Sequence, residues 1–417
     1  MAPTSGHRRH HERMVAAGVV VAGLLAGCGG GDRAAPAPAP APAPPATATT
    51  SPTTSPTTSP TTSPTSTPTA TPTAGDCVDA VLTGLSPRDR AAQLLLLGVP
   101  AEDPADGADL VAQRQPGGVF LFGRNRERLA EVRAGVDALR GAAEVPLLVA
   151  ADQEGGLVET LRGPDAPDAP TALEQGGWSP GELRREARSW GEDLARAGVD
   201  LDLAPVADTV AEEDADDNPP IGAFDRQYGD DPERVGRSVA AFVEGLQGAG
   251  VLATLKHFPG LGRVEVNTDT GTGAEDGVTD AGDPYLGPFR DGIAAGAAAV
   301  MVSSATYPRL DPDDVAAFSP EVVTGLLRER LGYGGLVVSD DLGQAEAVAA
   351  VPPGERATRF VAAGGDLVLT VVPSDAGPMV RALRDRAAED TAFRARLDEA
   401  VRHVLEAKRR AGLLPGC

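Results

Sequence analysis

Lysine is almost missing from this chain: among 37 basic residues, only Lys256 and Lys408 are lysines. Histidine is scarce too. Three of the five, His7, His10 and His11, lie near the start, leaving His257 and His403. Cysteine occurs three times, at Cys28, Cys77 and Cys417, and aromatics make up 4%. Each shortage excludes something. A zinc site built from several His or Cys ligands cannot be assembled. A Ser-His-Asp triad could draw only on His257 or His403. No Gly-x-Gly-x-x-Gly follows a strand-like run and no P-loop exists, so no nucleotide cofactor is expected, nor any other cofactor. The net charge of -23 argues against nucleic acid as a partner. With few aromatics, the core must be packed mainly from Leu, Val and Ala.

Long apolar runs are also lacking. The stretch from Met14 to Gly27 is too short to span a bilayer comfortably, and it follows Arg8, Arg9 and Arg13 as a targeting segment does. It closes on Leu25-Ala26-Gly27-Cys28, which resembles a bacterial lipobox. That resemblance implies a lipoprotein signal peptide over residues 1–27, lipidation of Cys28, and an extracytoplasmic, membrane-anchored protein. An ordinary secretory signal with a chance cysteine is the alternative. Residues 28–75 then run through Ala-Pro and Ser-Pro-Thr-Thr repeats. Such a tract cannot bury enough apolar area to fold, and its prolines keep it extended as a tether. In an exported protein Cys77 and Cys417, at the two ends of the remaining chain, could form a disulfide.

Residues 76–417 suffice for one large domain. Short, continuous apolar runs recur there at Leu94–Val99, Gly118–Phe122, Pro146–Ala151, Val199–Pro205, Val251–Leu255, Ala298–Ser303, Gly335–Ser339 and Asp366–Val371. Such runs read as parallel strands buried on both faces. Helical signals fill the gaps. Ser179-Pro180, Asp231-Pro232 and Ser319-Pro320 pair an N-cap with a first-turn proline, and Ala197-Gly198 and Ala249-Gly250 supply C-terminal stops. Eight strands alternating with helices predict an α/β fold, a (β/α)8 TIM-type barrel; a doubly wound open sheet is the runner-up.

Polar residues crowd the C-terminal ends of these runs: Asp152 and Glu154, Asp208, Lys256 and His257, Asp340 and Asp341. In a barrel those ends share the face that carries chemistry. A chain so poor in Lys and His sets Lys256 beside His257 where a buried strand would end. His403 falls in a long C-terminal helix from Phe393 to Arg410 and reads as structural. What remains plentiful is carboxylate, and paired carboxylates suit glycoside hydrolysis.

Five motifs in order then resemble glycoside hydrolase family 3, in particular its single-domain β-N-acetylhexosaminidases. They are Asp152-Gln153-Glu154-Gly155-Gly156, Asp200 to Val206, Asn218-Pro219-Pro220-Ile221-Gly222 with Arg226-Gln227-Tyr228-Gly229, Lys256-His257-Phe258-Pro259-Gly260, and Ser339-Asp340-Asp341-Leu342. The resemblance implies a retaining exo-β-N-acetylglucosaminidase acting on cell-wall-derived glycans, expected as a monomer. Asp340 would be the nucleophile, and Asp152, Arg226, Lys256 and His257 would bind the sugar. Asp341 would be a capping or supporting residue, and Glu154 is left out of the site.

The departures are as informative. The branch's usual acid/base histidine is absent, and Asp269, in Asn267-Thr268-Asp269, occupies its place. Asp269 is the candidate acid/base, with Glu265 the nearest alternative and loss of acid assistance a third reading. Where the family commonly carries Arg after the Gly-Gly and again three residues on, this chain has Leu157 and Thr160; Arg162 could supply a cation from a shifted place. A β-glucosidase, a phosphorolytic enzyme and a non-catalytic sugar-binding lipoprotein stay open as alternatives.

Overall fold

The computed structural model describes residues 74–414. Cys28, Cys417, the proposed signal and the stalk up to residue 73 lie outside the described residues, as does the pairing of Cys77 with Cys417; residues 74 and 75, given to the stalk, begin the helix Ala74–Gly84. Eight barrel strands follow in chain order: β1 (Leu95–Pro100), β2 (Gly118–Phe122), β3 (Leu148–Ala151), β4 (Leu201–Asp202), β5 (Leu252–Phe258), β6 (Ala299–Val302), β7 (Leu336–Ser339) and β8 (Val368–Thr370). Their order in the sheet is β7-β6-β5-β4-β3-β2-β1-β8, and the ladders are parallel throughout. The ends meet where Val338 bridges Leu367 and the Ser339 amide donates to the Leu367 carbonyl at 3.0 Å. This is the expected barrel, and the open sheet is set aside.

Local chemistry accounts for the elements. Ser179 and Asp231 accept from the amides of Glu182 and Arg234, each starting a helix with proline in its first turn. Helix Pro232–Gly248 buries Val235, Val239, Phe242, Val243 and Leu246. Those positions recur at three- and four-residue spacing, which puts one apolar stripe against the barrel. Gly198 and Gly250 take positive φ of 88° and 89° past helix ends, a region that costs a Cβ-bearing residue dearly.

One strand departs from expectation. β5 does not stop before the polar pair but runs on through Lys256 and His257 to Phe258, with all seven residues buried. Burial of a cation and an imidazole is tolerable there because carboxylates meet both, as described below.

At the opposite, N-terminal end of the barrel sits a second set of buried charges. Asp366 accepts from Arg328 Nη2 at 2.7 Å, Arg396 Nη2 at 2.5 Å, His403 Nδ1 at 3.0 Å and the Val337 amide at 2.9 Å. His403 is therefore structural, as its place in the helix Thr391–Arg410 suggests. On the same helix Lys408 is fully buried, and its Nζ donates to Gln93 Oε1 at 2.6 Å. Burial drags this amine from its ordinary value down to about 7. In the unfolded chain the amine keeps its ordinary pKa, so the folded state binds fewer protons between the two values. Stability contributed by this position accordingly falls as pH drops from about 10.5 to about 7 and stays low below. Lys408→Met should raise Tm by about 3 °C or more at pH 6 and by less at pH 9, measured by thermal melts. A larger gain at pH 9 would contradict this account.

Candidate active site

The C-terminal ends of the strands surround a cavity of about 670 Å³. Its lining includes Asp152, Arg226, Lys256, His257, Asp269, Asp340 and Asp341, so the proposed nucleophile, the first-choice acid/base and the four sugar-binding residues meet in one place. Asp152 directly follows β3, Lys256 and His257 directly precede Phe258, where β5 ends, and Asp340 directly follows β7. Arg226 and Asp269 come from the long loops after β4 and β5.

The floor is an ion network. Lys256 Nζ lies 2.6 Å from both Asp152 Oδ1 and Glu154 Oε1. Arg226 grips Glu154 with two donors, Nη2 to Oε1 at 2.7 Å and Nε to Oε2 at 2.9 Å, and gives Nη1 to the Pro220 carbonyl at 2.7 Å. Burial alone would raise the Glu154 carboxyl, but the two cations outweigh it and hold the group at about 2. Glu154 is 3% exposed, whereas the side chain of Asp152 is 26% exposed and reaches the cavity. Glu154 thus holds the cations, and Asp152 is offered to a ligand.

His257 has a defined tautomer. Arg226 Nη2 stands 3.4 Å from His257 Nε2, and a guanidinium can only donate, so Nε2 carries the lone pair. Nδ1–H therefore donates to Asp208 Oδ2 at 2.8 Å. Asp208 also accepts from the backbone amides of His257 at 3.1 Å and Leu261 at 3.0 Å. Burial, then the charges of Arg226 and Lys256, push the imidazole well below its usual value, so it is neutral. The Lys256–His257 and Phe258–Pro259 peptide bonds are cis.

The wall carries the second pair of carboxylates. Asp340 Oδ1 accepts from the Asp341 amide at 2.9 Å, and the Asp340 amide donates to the Val302 carbonyl at 3.0 Å. Burial and the neighbouring charge of Asp269 push Asp340 up to about 7. Asp269 is raised as well, by burial and by the charges of Asp341 and Asp152 against the pull of Arg226 and Lys256. The two groups interact, so their protons leave in two steps that belong to the pair rather than to either residue. The Asp269 loop is held shut by backbone: the Ala347 amide donates to the Thr268 carbonyl at 3.1 Å and the Glu346 amide to the Asp269 carbonyl at 3.4 Å. Asp341 is spent on its own loop, accepting from the amides of Gly343 at 2.8 Å, Gln344 at 3.1 Å and Val371 at 3.1 Å.

Two sequence readings need correction. Arg162 does not line the cavity; it pairs with buried Glu159 at 3.1 Å and donates to the Gly156 carbonyl. The cation that lines the mouth is Arg124, which no motif flagged. Glu265 is exposed and lines no part of the cavity, which removes it as the acid. Two groups were undervalued, Glu154 and Asp208. Both follow strand ends as carboxylates, but their partners lie 72 and 49 residues away in the chain.

Comparison with known proteins agrees with this picture. A profile described as the glycosyl hydrolase family 3 N-terminal domain matches residues 87–407. A β-hexosaminidase of Xanthomonas oryzae pv. oryzae is 34% identical over 318 residues, 70% of this chain and 88% of that protein. The β-hexosaminidase LpqI of Mycobacterium tuberculosis is 33% identical over 340 residues, 80% and 84% of the two chains. The crystal structure of a β-N-acetylhexosaminidase from Beutenbergia cavernae superposes with a TM-score of 0.76 at 46% identity, covering 78% of this chain and 99% of that one.

The network makes a stability prediction. Glu154→Gln keeps the volume but leaves two buried cations side by side, and should cost about 3 kcal/mol in chemical denaturation at pH 7. The native pKa of Glu154 is depressed, so its contribution is complete above the unfolded value near 4.5 and is lost as pH falls toward about 2. The gap between wild type and variant should narrow across that window. A gap that widens there would show that charge balance is not the cause.

Proposed function

The chain belongs to glycoside hydrolase family 3, and from that premise we propose that its cavity removes terminal β-linked N-acetylglucosamine with retention, Asp340 attacking and Asp269 shuttling the proton. Glycoside hydrolysis is the activity of the family, and hexosaminidase is the name borne by the relatives above. The observation that carries the residue roles is the coupled pair, Asp340 and Asp269, facing one cavity above the Lys256–Asp152 floor.

Retaining chemistry needs one carboxylate ionised and one protonated at the same moment. Ionised Asp340 attacks C1 as the bond from C1 to the leaving oxygen breaks, and the Asp269 proton passes to that oxygen. A water then attacks C1, gives its proton to Asp269, and the ester bond to Asp340 breaks. Asp152 supplies an acceptor and Lys256 a donor for sugar hydroxyls, both with charge assistance, while His257 lines the cavity with its one lone pair taken by Arg226. Arg226 is largely occupied by Glu154 and Pro220, so it acts by fixing Glu154 and His257 in place. The substrate is taken to be a cell-wall-derived glycan, because Leu25-Ala26-Gly27-Cys28 supports a lipid anchor on the outer face of the membrane. Cys28→Ala expressed in a bacterial host should release the enzyme from the membrane fraction; retention there would refute the anchor.

Kinetics test the residue roles. Asp340→Asn should abolish turnover of every glycoside. Asp269→Ala should lower kcat/KM by about 10²–10⁴ on leaving groups of high pKa and little on nitrophenolate, with azide restoring the second step as a β-glycosyl azide. Equal losses on good and poor leaving groups would remove Asp269 from the role. Asp269→Asn also deletes the charge that lifts Asp340. On an activated substrate, the loss of rate at low pH, set by protonation of Asp340, should therefore move to lower pH than in wild type.

A further inference from the structure

Five large apolar side chains are exposed among the described residues, and two of them, Phe122 at 48% and Leu157 at 57%, line this one cavity. Phe122 ends β2, with its ring 6.4 Å from that of Phe120, a buried residue of the same wall. Leu157 stands between the short strands Gln153–Gly155 and Val158–Glu159. The turn that presents it is built tightly. Gly155 and Gly156 have φ of 104° and 59°, and a Cβ on Gly155 would meet the Pro170 carbonyl oxygen at 2.2 Å. Arg124, two residues after Phe122, reaches across to give Nη2 to the Leu157 carbonyl at 2.8 Å. The two apolar groups are thus tied together at the mouth by a hydrogen bond rather than left on separate loose loops.

The charged floor already accounts for the sugar whose C1 reacts. At the rim Arg124 gives its hydrogen bond to the Leu157 carbonyl, its charge acts on Glu159, and the two projecting groups are hydrocarbon. We infer that Phe122 and Leu157 form the leaving-group subsite and select glycosides whose leaving group presents an apolar face. The inference rests on the reading of the cavity as a glycosidase site. Covering these side chains removes apolar area from water only while the leaving group is attached, so the interaction acts on the first chemical step.

The test compares two N-acetylglucosaminides that share the glycone. 4-Methylumbelliferone offers a broad apolar face, whereas azide is too small to cover the rim. Phe122→Ala and Leu157→Ala should each lower kcat/KM for the umbelliferyl glycoside about tenfold and leave the β-azide within about twofold of wild type. Leu157→Gln, which keeps the volume and removes the apolar surface, should behave as Leu157→Ala does. Equal losses on both substrates, or no loss on either, would overturn the inference, since the rim would then be structural or idle. Wild-type enzyme inert on both would instead sink the glycosidase reading, and this inference with it.

Discussion

A lysine buried at the end of a barrel strand is the constraint around which the site is arranged. Lys256 is 3% exposed, and an unpaired ammonium at that depth would lose its proton. Asp152 and Glu154 prevent this, each 2.6 Å from Nζ. Glu154 in turn needs a second cation, which Arg226 provides with two parallel hydrogen bonds. The guanidinium then fixes His257 as a lone-pair acceptor on the cavity side, and Asp208 holds the other ring nitrogen. The orientation of each group is thus set by the next. The floor contains two cations, Lys256 and Arg226, and two anions, Asp152 and Glu154, so it is close to neutral. The wall, with Asp340 and Asp269, adds negative charge. A sugar developing positive charge at C1 meets a field of the right sign already in place.

The barrel keeps this arrangement apart from the charges that hold the fold together. Asp366, with Arg328, Arg396 and His403, sits at the N-terminal end, and the buried Lys408 lies below it on the last long helix. Both sites join the C-terminal helix to the strands. Neither faces the reacting groups, so stability at one end can be altered while the chemistry at the other stays intact. This division follows from parallel strands, which bring all their C-terminal loops to one face.

Much of this was legible in the sequence because it is local. The eight apolar runs, the Ser-Pro and Asp-Pro helix starts and the five motifs each occupy a few consecutive residues, and they predict the barrel and most of the cavity lining. Glu154 and Asp208 were harder, because what makes them important is a partner tens of residues away. A carboxylate near a strand end reads the same whether it clamps a cation or faces water. Arg162 and Arg124 show the same limit in reverse: nearness in sequence favoured Arg162, but Glu159 captures it. Phe122 looked like an ordinary apolar residue and Leu157 stood out only as a missing arginine, since exposure is a property of how loops meet. Cys28, Cys417 and the tether remain expectations from residue pattern alone.

Aspartate where the family branch uses histidine has a physical consequence for the proposed mechanism. Neutral histidine would add no charge beside the nucleophile. Asp269 does, and the repulsion raises Asp340 and keeps the pair from ionising together. With one proton left on the pair, the first step requires it to sit on Asp269 and to leave Asp340 ionised. As Asp340 bonds to C1 it loses its negative charge. The charge that had favoured protonation of Asp269 disappears with it, so Asp269 becomes a stronger acid as the leaving oxygen needs a proton. In the glycosyl-enzyme Asp269 stays ionised and can take a proton from water. When the ester breaks, the charge on Asp340 returns and Asp269 binds its proton firmly again. The coupling between the two groups thus drives the proton in both directions, and the Asp269 side chain, open to the cavity, need not be deeply buried to do it.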